Sequence, residues 1–179
     1  KWLSGIMSHS LCRVDVPIMR QMYQGWKRGD EAHVEHWAAM IKASRESSEL
    51  QQEDRHLGSA LARLLTSLSL DDAQPWVSHP DTGFAVLFAL AAVRWDIPLS
   101  QAAMGYLWAW AENQTNAAVK LVPLGQTAGQ RILSHLGHLI TEFTDPSLSL
   151  EPSEIGASMP GVAIASSLHE TQYCRLFRS

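Results

Sequence analysis

The sequence predicts an all-α fold: a single-domain helical bundle with a short loop-rich C-terminal segment and a docking tail. Three observations carry this. Apolar residues recur at helical spacing along most of the chain, while the alternation of a half-buried strand is nearly absent. Glycine and proline fall where helices stop and start, as at Gly29-Asp30 and Ile97-Pro98. No repeat and no domain linker divides the chain, so one core is expected.

Residues 1–22 carry apolar positions at mixed spacing and contain Pro17, so two helical pieces broken there are expected. Gly29 then stops a helix and Asp30 caps the next. That helix spans 31–43 and turns Trp37, Met40 and Ile41 inward. Residues 47–68 form the clearest amphipathic helix, with Leu50, Leu57, Leu61, Leu64, Leu65 and Leu68 in one stripe. Glu49, Glu53, Asp54 and Arg55 make its first half wet. Residues 71–81 hold two prolines with Asp, Ser and Gln, and read as a loop. The alanine-rich stretch 81–94 is a small-residue helix expected at the centre. Ile97-Pro98 opens a helix running to about residue 119, because proline tolerates a first helical turn. Pro123 ends whatever continues, and 124–141 is another helix. Residues 145–160 are a Ser- and Pro-rich loop, and 161–168 a short apolar helix. The chain thus divides into a helical domain, 1–168, and a tail, 169–179.

A length of 179 residues can bury a sizeable core. The net charge of −4 gives no electrostatic case for nucleic acid or an anionic membrane. Cys12 and Cys174 lie far apart and neither sits in a Cys-x-x-Cys pair, which argues against a disulfide framework or structural zinc. That usage favours a reducing, cytoplasmic setting. The richest apolar stretch, 84–93, is too short to span a bilayer. No signal peptide is visible, and because the first residue is Lys1, an N-terminal portion is expected to precede it.

Several constellations invite a functional reading. In the helix over 99–119, Met104, Leu107, Trp108 and Ala111 mark an apolar side. Glu112, Asn116 and Lys120 recur every four residues and share the opposite face. The ordinary reading is a solvated stripe. The sharper one is a partner surface, widened by Asn113 and Gln114 and flanked by Trp108 and Trp110. The segment 120–130 lacks the spacing of a phosphate-cradling loop, so no nucleotide site is expected; Gly125 and Gly129 are more simply small residues for close helix contact. His33 with His36, and His135 with His138, offer two imidazoles each, half of a closed metal site; exposed helix histidines are the simpler account. His169-Glu170 has no His-Glu-x-x-His arrangement, and no Gly-x-Ser-x-Gly elbow marks a nucleophile. Cys174 lies beside Arg175, which would lower a thiol pKa, although inert packing is simpler. The tail packs His169, Glu170, Tyr173, Arg175, Phe177 and Arg178 together, the composition of a docking element. The rival reading is a helical metal-dependent hydrolase using His169, Glu170 and one histidine pair, which requires those groups to converge. A helical oligomerisation module without metal involvement is a third possibility.

A series of short motifs goes further. Ser44-Arg45-Glu46 leads into Glu49-Leu50; then come Tyr106-Leu107-Trp108, Glu112-Asn113-Gln114, the stretch 119–130, Ile164-Ala165-Ser166, and the tail 169–179. In that order, from about Arg13 to Ser179, the chain resembles the UreF family of urease accessory proteins. The resemblance implies an all-helical cytoplasmic homodimer that assists assembly and catalyses nothing. It implies partners: UreD (or UreH), the nickel-carrying GTPase UreG, and the urease apoprotein. It also implies a scaffold and chaperone role in nickel insertion and metallocentre assembly, with GTPase regulation and passage of nickel partly through an internal tunnel. No cofactor is then held firmly, and nickel is at most in transit. The family motifs fall on Lys120, Gln126, His169, Glu170, Tyr173 and Arg175. Lys120 is expected to face UreG, and the polar tail, led by Tyr173 and Arg175, to dock UreD. The family's N-terminal Pro-Ile-Gly-x-Phe/Tyr-x-x-Ser-x-Gly-Leu-Glu motif is absent, so the chain is expected to begin after it. Cys174 stands where the family usually has serine.

Overall fold

The computed structural model describes residues 1–122 and 124–173, and among these it contains helices and no strand. The α-helices are α1 (Trp2–Ile6), α2 (Val16–Arg28), α3 (Glu31–Ala43), α4 (Ser48–Ser67), α5 (Phe84–Arg94), α6 (Leu99–Leu121), α7 (Gln126–Leu148) and α8 (Pro160–Glu170). The core is built from α2, α5 and the inner sides of α3, α6 and α7.

Pro17 does not break the chain into separate pieces. It occupies the first turn of α2, where a missing N–H costs least, and the backbone before it changes winding instead. Met7–Asp15 is π-helical and joins α1 to α2 without leaving a helical path. Met7, Leu11, Cys12 and Val14 of this stretch are buried. Gly29 takes φ 67°, the left-handed conformation that ends α2, and the Asp30 side chain accepts from the His33 N–H at 3.1 Å.

Two apolar stripes differ from expectation. On α3 the buried arc is Val34, Trp37, Ala38 and Ile41, and Met40 lies beyond its edge, exposed. On α4 the buried residues are Gly58, Ala62 and Leu65, while Leu57, Leu64 and Leu68 face outward, the last two more than half exposed. The reason is the closeness of the neighbour. A Cβ on Gly58 would lie 2.6–2.7 Å from the backbone of Gly83, so α4 seats its smallest residues against that strip and not its leucines.

Residues 71–81 are not a plain loop. Asp71–Val77 forms a 3-10 helix whose three-residue turn buries Ala73 and Trp76 together. Trp76 meets Trp26 edge-on, ring centres 5.8 Å apart, and the Trp26 indole N–H donates to the Val86 carbonyl at 3.2 Å. α5 begins at Phe84 and not at Asp81, and it is central as its alanines suggested, with Ala85, Val86, Leu87, Ala89, Leu90, Ala91 and Ala92 all buried.

α7 runs past residue 141 to Leu148, with Pro146 inside it. Thr144 and Ser147 are buried there and return their hydroxyls to the carbonyls of Ile140 and Phe143, both at 2.6 Å, which satisfies polar groups in the last turns. The following loop is pinned. The Arg20 guanidinium donates to the Leu148 carbonyl and, at 2.8 Å, to that of Leu150; the Gly156 N–H donates to the Arg13 carbonyl at 3.2 Å.

The Gly58–Gly83 approach sets a stability test. Gly58→Ala is expected to cost about 1–3 kcal/mol through overpacking against backbone. Gly125→Ala, whose Cβ meets nothing within 4 Å, should move the thermal midpoint little. Thermal unfolding of both variants by circular dichroism checks the contrast.

Candidate functional site

A buried ion network lies where the chain's helices meet. Asp15, the last residue of the π-helical stretch, has no exposed surface. Arg45, between α3 and α4, grips it with two bonds: Nη1 to Oδ2 at 3.1 Å and Nη2 to Oδ1 at 2.6 Å. The Arg45 Nε also donates to Asp54 Oδ2 on α4 at 3.3 Å. The other Asp54 oxygen takes the Phe84 N–H at 2.9 Å, which holds the start of α5. Tyr106 of α6 donates its hydroxyl to Asp15 Oδ1 at 2.8 Å. Burial disfavours the Arg45 cation, but Asp15 and then Asp54 outweigh it and hold the group charged well above its ordinary range. Burial, then the Asp15 carboxylate, pushes the Tyr106 hydroxyl well above its ordinary value, so it stays a donor.

The next turn is the amino end of α4. Ser47 caps it, accepting from the Leu50 N–H at 3.2 Å, and its hydroxyl meets that of Ser166 on α8 at 2.7 Å. Glu170 brings a carboxylate to the same helix end. It accepts from the Ser48 hydroxyl at 2.7 Å and the Glu49 N–H at 2.9 Å. An anion is favoured there because the first N–H groups of a helix lack partners and the helix dipole is positive. His169 Nδ1 sits 2.7 and 2.9 Å from the two Glu49 carboxylate oxygens. His169 and Glu170 therefore belong to the last turn of α8 and clasp α4. No residue of α8 is buried, and Ile164 and Leu168, each about 60% exposed, point outward with Tyr173.

The residues read from the sequence fall in two places. Glu112, Asn116 and Lys120 are exposed along one side of α6, and Gln126 is exposed at the start of α7, across the connection from Lys120. The expected apolar side of α6 holds only in part: Leu107 and Ala111 are buried, whereas Met104 and Trp108 are exposed. Trp108 instead rests over Gly137 of α7, whose added Cβ would lie 3.5 Å from its ring. Gly129 is a close-contact glycine, since an added Cβ would lie 2.8 Å from the Val119 side chain, but Gly125 has open space around it. His169, Glu170 and Tyr173 lie at the α8 end; Arg175, Cys174 and the rest of the tail fall outside the described residues.

The ion network and the clasp were not foreseen. Asp15, Ser47 and Ser48 carried no pattern that marked them as site residues, and Asp54 was read only as a wet position of the 47–68 helix. Arg45 was visible only in the Ser44-Arg45-Glu46 motif, and Glu49 only in its continuation and as another wet position.

Among the described residues no three His, Cys, Asp or Glu side chains are placed to hold a metal ion. The convergence that a metal-dependent hydrolase requires is therefore not found there. His169 is engaged with Glu49, and His33 faces Trp37 edge-on with ring centres 6.3 Å apart. No helix of the described residues is long and apolar enough to cross a membrane.

Comparison with known proteins gives a consistent result. A family model described as UreF matches residues 1–137. A protein of Alkalilimnicola ehrlichii named urease accessory protein UreF is 53% identical over 178 residues, covering 99% of this chain and 78% of the relative. The protein of the same name from Hahella chejuensis is 44% identical over 178 residues, covering 99% and 80%. That of Chromohalobacter salexigens is 40% identical over 180 residues, covering 100% and 77%.

Two outcomes follow from the ion network. Arg45→Ala strands Asp15 without its cation and is expected to cost about 3–5 kcal/mol, measured by urea unfolding at neutral pH. Tyr106→Phe tests the pH sign. The raised pKa of Tyr106 contributes stability that is fully present below the ordinary tyrosine range and lost as pH rises through the folded value. The stability advantage of the parent over Tyr106→Phe should therefore shrink once pH passes about 10; an advantage that grows there contradicts the assignment.

Proposed function

The chain belongs to the UreF family of urease accessory proteins, and from that membership we propose that it is a scaffold of the nickel-urease maturation complex. It is an accessory protein and not an enzyme. In this reading it works in the cytoplasm as a homodimer, binds UreD (or UreH), UreG and the urease apoprotein, and assists nickel insertion. The observation that carries the reading is the contrast at α8. Polar contacts fasten its last two turns to α4, while Ile164 and Leu168, with Tyr173 just beyond the helix, are turned to the outside. Exposed aliphatic and aromatic groups on one small element, followed by an arginine-bearing tail, suit an interface anchor.

The mechanism is a shift of populations. A scaffold that binds one nucleotide state of UreG more tightly moves UreG toward that state by the difference in binding free energy. The α6 face, with Glu112, Asn116 and Lys120, and the neighbouring Gln126 supply exposed polar groups for such a contact. No bond is made or broken by this chain. Nickel passes only in transit, since passage requires ligands that release the ion.

Two substitutions test the two surfaces separately. Arg175→Ala is expected to weaken UreD binding by about 2 kcal/mol or more, the scale of an interface hot spot, in a pull-down with purified UreD; parent-like binding defeats the tail assignment. Lys120→Ala is expected to leave UreD capture intact and to impair GTPase regulation and urease activation. Normal values of both would remove Lys120 from the UreG-facing surface.

A further inference from the structure

We propose that the groove between α3, the first turns of α4 and residues 80–83 is a notch for the carboxylate of an acidic side chain carried by a docking protein. The cavity measures about 140 Å³. That admits a small polar group but falls below the roughly 300–1,000 Å³ of sites for drug-sized ligands.

The ligand class follows from which groups in the groove are already engaged. Asp54 has both oxygens occupied, by the Arg45 Nε and the Phe84 N–H. Asp81 holds Lys42 at 2.7 Å, and the same ammonium donates to the Pro80 carbonyl at 3.0 Å. Arg45 is spent on Asp15 and Asp54, Gln51 Nε2 on the Arg45 carbonyl at 3.1 Å, and Ser48 on Glu170. Three lining groups make no hydrogen bond or ion pair among the described residues: the Arg55 guanidinium and the Gln52 amide, both exposed, and the Thr82 hydroxyl, which is buried. Each can donate. Thr82 is only 5% exposed, and its Oγ1 is buried and unpaired. A buried hydroxyl without a partner is costly and uncommon. Gln52 and Thr82 can accept as well, so the sign of the ligand is set by Arg55, which can only donate and is the lining cation left unpaired. A planar guanidinium fork matches a carboxylate, and the Thr82 hydroxyl can complete the set.

The source of that carboxylate is indicated by position. Ser48 lines the notch and is also where Glu170 of α8 reaches α4. The notch therefore adjoins the element proposed above as the docking anchor, and a protein seated on α8 can extend an acidic side chain into it. This half of the inference rests on that docking role.

The test uses the full chain, isotope-labelled for NMR, titrated with sodium acetate against sodium chloride at constant ionic strength. Saturable acetate shifts are expected at the amides of residues 51–55 and 81–83, weakened about tenfold or more, or about 1.4 kcal/mol, in Arg55→Ala and in Thr82→Val. Thr82→Val removes an unpaired hydroxyl, so its thermal midpoint should equal or exceed the parent's, which separates lost binding from lost folding. No saturable response, an equal response to chloride, or parent-like binding in both variants overturns the notch. Capture of purified UreD and UreG then distinguishes the sources. Weaker capture by Arg55→Ala supports a partner's side chain, whereas lost acetate binding with unchanged capture means a free anion only and overturns the protein source. If the parent itself captures neither protein while acetate still binds, the docking role fails, and the protein source with it.

Discussion

Arg45 is the constraint on which the arrangement depends. A guanidinium placed between Asp15 and Asp54 ties three separated pieces of backbone: the end of the π-helical stretch, the α3–α4 connection and the second turn of α4. Tyr106 and the Phe84 N–H extend the tie to α6 and α5. Two carboxylates for one cation would be unfavourable in a buried site unless the remaining charge found donors, and these two groups supply them. An apolar cluster of the same volume would stabilise the same meeting point as well or better, but with less directional preference. The bidentate geometry of Arg45 on Asp15 fixes where the α3–α4 connection sits relative to the core.

That placement determines the next layer. Once Arg45 is anchored, Ser47 and Ser48 follow within one turn, and the amino end of α4 faces α8. Helix ends leave donors unsatisfied, and here the chain supplies the missing acceptors from its own far end, through Glu170 and the Ser166–Ser47 contact. α8 contains no fully buried residue, with Val162 and Ala163 only half-buried. Charge-assisted and hydroxyl bonds fasten its last turns, which suits an element that shows Ile164 and Leu168 outward.

The α6–α7 hairpin is held by different physics. Its core contacts are apolar, through Leu107, Ala111, Leu136 and Ile140, and its closest approach is made possible by Gly129 beneath Val119. The polar residues Glu112, Asn116 and Lys120 are left free of packing duty on the outside. Separation of the two surfaces, one on this hairpin and one at the α4–α8 junction, gives a small chain two independent faces.

The sequence by itself determined the helical class, the Gly29-Asp30 boundary, the central position of the alanine-rich α5 and the exposed face of α6, because each is set by local periodicity or by one capping residue. It also carried the family, through motifs strung along the whole chain. Only the tertiary structure decided which side of α4 is buried. Leu57, Leu64 and Leu68 have the spacing of a core stripe, yet the nearness of Gly83 backbone reserves the inner side for Gly58 and Ala62. The same holds for residues 71–77, whose proline and aspartates read as a loop until Trp76 finds Trp26. Asp15, Arg45, Asp54 and Tyr106 meet only after folding, from positions as far apart as 91 residues for Asp15 and Tyr106. Charge pairing of that kind leaves no period in a sequence, since it depends on where several helices place their ends and not on the neighbours of any one residue.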